Sequence, residues 1–122
     1  MNSLSGLDTL EQTVVVNVVS QLHILQVYNY PNPFSTDTYF TFILTGRDAP
    51  EELRISILTI AGRRIRELVV PQNQIQVGMN KVYWDGRDTD GDELANGYYF
   101  YQIAIKGQGK TETAIQKLAK VR

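Results

Sequence analysis

Residues 81–105 read KVYWDGRDTDGDELANGYYFYQIAI. Val82 and Trp84 fall on one face of a period-two pattern, with Lys81 and Tyr83 on the other. After a gap, Tyr99, Tyr101, Ile103 and Ile105 share a face opposite Tyr98, Phe100 and Gln102. Between the two runs stand Asp85-Gly86, Asp90-Gly91 and Asn96-Gly97, pairs whose members tolerate the positive φ that tight turns demand. Two alternating runs separated by turn residues are strands.

The same reading extends in both directions. Phe40, Phe42 and Leu44 alternate with Tyr39, Thr41 and Ile43, and Leu53, Ile55 and Ile57 alternate with Glu52, Arg54 and Ser56. Leu22–Tyr28 and Thr111–Val121 are weaker strand candidates. Thr13–Val19 is nearly continuous valine and suits a strand covered on both faces. Leu53, Ile57, Ile60 and Leu68 also fit along a helix. However, Ile55, Ile57, Thr59 and Ile60 are β-branched and Gly62 interrupts the run, which favours two strands joined at Ala61-Gly62. Further breaks fall at Asn29–Pro33, Thr45–Pro50, Pro71–Asn73, Val77-Gly78 and Gly107–Gly109. Short β-rich runs at this spacing predict an all-β sandwich or barrel. Residues 1–11 read as a loose N-terminal segment and residues 12–122 as a single domain.

Composition bounds the function. The chain has 122 residues, 43% hydrophobic and 20% charged, which is ordinary globular composition with enough apolar surface for one core. A net charge of -1 gives no global field to attract nucleic acid. The absence of cysteine excludes disulfides, thiolate metal sites and cysteine nucleophiles. His23 has no second histidine beside it for a metal, and the serines lack a nucleophile elbow and a visible base. Gly107-Gln-Gly-Lys110 is too short for a phosphate loop and reads as a hairpin turn. No apolar run is long enough to cross a bilayer as a helix, and Met1–Leu10 does not read as a secretory leader. The expectation is a non-enzyme with no cofactor, no small-molecule substrate and no nucleic-acid partner.

Four features have competing readings. Tyr30-Pro-Asn-Pro-Phe34 reads as a rigid corner with Phe34 plugging the core, or as a partner's ligand. Asp88, Asp90 and Asp92 have the look of a calcium loop. Gly91 precedes the third acid and Glu93 follows too soon, so the spacing departs from the EF-hand and an ordinary loop competes. Tyr83, Tyr98 and Phe100 fall opposite the core-facing positions of their strands. They form a partner patch for a sugar or another domain, or are covered by the N-terminal strand or a larger protein. From Lys106 to Arg122 five basic residues accompany one acid, a basic edge that resists sheet-to-sheet aggregation or presents a charged terminus to a receptor.

Taken in order, the motifs resemble a known family. Asn29-Tyr-Pro-Asn-Pro-Phe34 is followed by Thr38-x-Phe40-x-Phe42-x-Leu44, Leu53-x-Ile55-x-Ile57 and Ala61-Gly-Arg63. Then come Gly78-x-Asn80-x-Val82-x-Trp84-Asp-Gly-Arg-Asp88, Asn96-Gly-Tyr-Tyr-Phe-Tyr101 and the closing Lys117-Leu-Ala-Lys-Val-Arg122. Residues 25–122 resemble the C-terminal sorting domain of type IX secretion system cargo, in the variant that ends gingipain-type surface peptidases. The central part is similar to the immunoglobulin-like domain of flagellar hook-capping proteins. The family often carries an aromatic residue and an aspartate where this chain has Leu58 and Thr59, which bears on one turn hydrogen bond and not on the fold.

The resemblance implies an immunoglobulin-like antiparallel β-sandwich of about seven strands. It also implies a non-catalytic domain that directs a larger cargo protein across the outer membrane. The partners implied are proteins of the secretion machinery and the upstream domain of its own parent chain. The place implied is the periplasm in transit, then the cell surface or the medium. Lys117, Leu118, Ala119, Lys120, Val121 and Arg122 would be the sorting signal. An accessory adhesion or carbohydrate-binding module and a structural domain packed on a catalytic neighbour are the alternatives.

Overall fold

The computed structural model describes residues 21–122, so the expected loose segment at residues 1–11 and the expected strand at Thr13–Val19 lie outside the described residues. Seven strands follow in chain order: β1 (His23–Tyr30), β2 (Thr38–Thr45), β3 (Glu52–Leu58), β4 (Arg64–Val70), β5 (Gly78–Trp84), β6 (Gly97–Gly107) and β7 (Lys110–Lys120). A single 3-10 turn at Gln72–Gln74 precedes β5. The strands form a three-stranded sheet ordered β1-β2-β5 and a four-stranded sheet ordered β4-β3-β6-β7. All pairings within the sheets are antiparallel. This is an immunoglobulin-like β-sandwich.

Alternation decides which side chains enter the space between the sheets. Phe40, Phe42, Leu44 and Trp84 come from one sheet, and Leu53, Ile55, Ile57, Tyr101, Ile103, Ile105 and Leu118 from the other, all buried. Phe34, on the loop after β1, is buried among them, with its ring centroid 5.3 Å from Trp84. Phe40 stacks on Trp84 at 5.8 Å and meets Tyr101 at 4.6 Å. The Trp84 indole N–H donates to the Arg87 carbonyl (3.0 Å), and Asp85 Oδ1 accepts the Arg87 amide (3.0 Å), so the Asp-Gly turn pins the tryptophan.

The ambiguous segment resolves as two strands. β3 and β4 form a hairpin across Ala61-Gly62, and the Arg63 amide donates to Thr59 Oγ1 at 3.0 Å. Thr59 therefore supplies a side-chain turn bond at the position where the resembled family often carries aspartate.

One edge of the sandwich is sealed by side chains. β1 bulges between Leu25 and Tyr28, with Gln26 at φ 51, and faces β7 across the sheet gap. There the Ile24 amide donates to Glu112 Oε2 (2.7 Å), and the Gln116 side-chain amide donates to the Val27 carbonyl (3.0 Å). The opposite edge, between β4 and β5, is open along a groove of about 840 Å³.

Tyr101 is fully buried, and its hydroxyl has no hydrogen-bond partner among the described residues. Burial pushes its phenol well above the ordinary tyrosine range. Tyr101→Phe removes an unsatisfied polar group and is expected to stabilise the domain by about 1 kcal/mol in urea denaturation. The folded state holds the neutral phenol, so its contribution is complete below the unfolded-chain pKa near 10 and is lost as pH rises past it. Tyr101→Phe is accordingly expected to flatten the fall of stability above about pH 10.

Candidate functional site

The terminal segment is a built part of the sandwich. β7 pairs with β6 along its whole length, from Gly107↔Lys110 to Gly97↔Lys120. On its other side the last residues meet the loop after β1. The Phe34 amide donates to the Ala119 carbonyl (2.9 Å), the Val121 amide donates to the Phe34 carbonyl (3.0 Å), and the Ala119 amide donates to Asn32 Oδ1 (3.0 Å). Phe34 and Lys120 thus form a parallel bridge. The edge at the last residues is occupied by residues 32–34 of its own chain. The residue order explains this: Pro31 and Pro33 carry no N–H to donate, whereas Phe34 offers both a donor and an acceptor to the strand beside it.

Strand periodicity divides the six tail residues by role. Leu118 packs into the core, and Lys120 is only 2% exposed. The Lys120 ammonium donates to the Ser35 carbonyl, stands 3.7 Å from Glu93 Oε1, and lies 5.5 Å from the Phe34 ring centroid. Lys117, Val121 and Arg122 are exposed and Ala119 is half-buried. Arg122 pairs with Glu93, and its amide donates to Asn96 Oδ1 (3.1 Å), so the loop before β6 also holds the end of the chain.

The aromatic set Tyr83, Tyr98 and Phe100 does not form one patch. Tyr83 lies on the outer face of the three-stranded sheet, and Tyr98 and Phe100 on the outer face of the four-stranded sheet. The loop from Asp85 to Asn96 carries the chain from one sheet to the other, placing the core between them. Two of the three instead join the tail. Phe100 pairs with Lys117 and Tyr98 with Ala119, and the Lys117 ammonium lies 4.9 Å from the Tyr98 ring centroid. Exposed Tyr98, Lys117, Ile115 and Val121, with half-buried Phe100 and Ala119, make a continuous apolar surface with one cation, centred on the end of β7.

The acidic loop is a hydrogen-bonded turn. Asp88 Oδ1 accepts the amides of Asp90 (3.0 Å) and Asp92 (2.9 Å). Asp88, Asp90 and Asp92 each offer a carboxylate oxygen within 4.8 Å of the others, and the two amides bond only that of Asp88. Asp85 also receives Arg66 at 3.0 Å, tying the loop to β4.

Tyr83 belongs to a surface that sequence reading did not single out. Across the three-stranded sheet the register aligns Tyr30↔Tyr39↔Tyr83, then Tyr28↔Thr41↔Lys81, then Leu25↔Ile43↔Met79. The signal was present in the alternation of Tyr39 with Phe40. Tyr28 and Tyr30 face outward only because of the β1 bulge. The Tyr83 hydroxyl donates to Asp37 at 2.9 Å, and that bond is the main cause raising its pKa.

The fold has counterparts among known proteins. Among solved structures, dimeric latent PorU from Porphyromonas gingivalis superposes with a TM-score of 0.68 at 20% identity, over 84% of this chain and 10% of that one. PorZ, described as a bacterial surface component of the type-IX secretion system of the same organism, gives 0.47 at 22% identity, over 79% of this chain and 11% of that one. The chain thus spans about a tenth of the length of each. Comparison with curated proteins finds no match. The family model described as FlgD Ig-like domain matches residues 30–110, from Tyr30 at the head of the Pro-Asn-Pro corner to the start of β7, and the chain belongs to that family.

Proposed function

We propose that this is a non-catalytic sorting domain that directs a larger cargo protein across the outer membrane through the type IX secretion system. Its partners in this reading are proteins of that machinery and the upstream part of its own parent chain, and its destination is the cell surface or the medium. The ordered motifs from Asn29 to Arg122 support the assignment. The observation that carries it is the division of labour in the tail. Leu118 and Lys120 anchor the last strand, while Lys117, Ala119 and Val121 present one outward surface with Tyr98 and Phe100. Recognition is then surface complementarity, with apolar contact supplying affinity and Lys117 supplying orientation.

The domain fused to a periplasmic reporter is expected to bring the reporter outside a host that has the type IX machinery. Equal export from a host without that machinery sinks the proposal. Deleting residues 117–122 would also remove the bonds to Phe34 and Asn32, so surface variants are the cleaner probe. Lys117→Glu combined with Tyr98→Ala is expected to keep the circular dichroism spectrum and melting curve while lowering export by about tenfold or more.

A further inference from the structure

The tyrosine rows on the three-stranded sheet lie on the face of the sandwich away from the terminal strand and are independent of the sorting proposal. Tyr30 is 73% exposed, Tyr28 51% and Tyr83 50%. Between Tyr28, Tyr39, Met79 and Lys81 the surface dips into a trough of about 620 Å³, with the nearly buried Thr41 as its floor and Pro31 beside Tyr30. That size is within the range of small-ligand sites. The Tyr39 and Tyr83 rings meet edge-on, 61° apart, so the rings of that row do not lie in one plane.

We propose that this trough binds a single polysaccharide chain bearing acidic groups. Three observations identify the occupant. Each tyrosine offers an apolar ring with a hydroxyl at its rim, matching the C–H face and hydroxyl edge of a pyranose. The tyrosines stand around a floor at Thr41 that is only 8% exposed, so an occupant must reach between the rings, which an extended chain does. Among the described residues, Lys81 is the one charged residue lining the trough, with its ammonium held 4.4 Å from the Tyr39 ring centroid. A carboxylate on the sugar is its complement. Asp37 stands beyond the trough beside Tyr83, one row away from Lys81. The acidic group of the ligand is therefore directed to the Tyr28–Lys81 row, where no carboxylate of the described residues lines the trough.

Titration of the full chain with an oligogalacturonide, and with a neutral glucose oligomer of the same length, tests this by calorimetry and by amide chemical shifts. The acidic oligomer is expected to bind saturably and to shift residues of β1, β2 and β5, with the neutral one weaker by about tenfold or more. Tyr30→Ala and Lys81→Ala are each expected to weaken the acidic oligomer by about tenfold, and Tyr98→Ala on the opposite face to leave it unchanged. Absence of saturable binding overturns the proposal, as does binding that survives both substitutions, or equal affinity for the neutral oligomer. Shifts at Tyr28, Tyr30 and Lys81 produced by a protein of the secretion machinery and by neither oligomer overturn it in favour of a protein-docking face.

Discussion

Alanine at Gly86 is expected to destabilise the domain by about 3 kcal/mol or more, a large part of the stability of a domain this size. Gly86 has φ +77, and a Cβ there would stand 1.9 Å from the Thr36 carbonyl oxygen and 3.2 Å from the Phe34 ring. The oxygen is backbone, so relief requires the loop from Phe34 to Thr36 to move. That loop carries the ring against Trp84 and the backbone bonds to Ala119 and Val121. The control is Gly91→Ala, at a similar φ of +85 but with nothing of the described residues within 4 Å of the added carbon. There only the left-handed backbone penalty applies, about 1–2 kcal/mol. Urea midpoints measure both. Equal midpoints for the two variants would show that the clash at Thr36 is not what Gly86 avoids.

Lys120 gives the second large effect. Its stem is buried, its ammonium meets the Ser35 carbonyl, and Glu93 is the nearby counter-charge. Lys120→Glu would set a carboxylate against that carbonyl and Glu93. A buried charge without a partner typically costs about 3–5 kcal/mol, whereas Glu93, 44% exposed and paired with Arg122, is not stranded by loss of the lysine. Lys120→Met keeps most of the stem and drops the charge, and is expected to stay within about 1 kcal/mol of the parent. The pair separates anchoring from recognition. If the sorting proposal holds, Lys120→Met should still be exported while Lys117→Glu with Tyr98→Ala is not. Loss of export by a fully folded Lys120→Met variant would show that a partner reads Lys120 directly.

Much of the sandwich was legible because period-two alternation is a local property. The core faces of β2, β3 and β6 follow from residues two apart, and Gly62 with its β-branched neighbours separated β3 from β4. Alternation says which side chains share a face, but not which sheet a strand joins. Tyr83 and Tyr98 are both outward-facing, yet they lie on opposite surfaces because β5 pairs with β2 and β6 with β3. That assignment depends on pairings between residues distant in the chain. The tail was harder for another reason. Lysine is among the least buried residue types, so nothing local marked Lys120 as an anchor while Lys117 stayed exposed. The tyrosine rows were missed because their alignment depends on register and on the bulge at Gln26.

The bond between Asn32 and Ala119 joins groups 87 positions apart. If the sorting proposal holds, whatever docks on the finishing strand meets a shape that cannot form until residue 119 has been made and brought back to residue 32. A receptor tuned to that shape would then turn away a passenger whose two ends have not met, with no separate sensor.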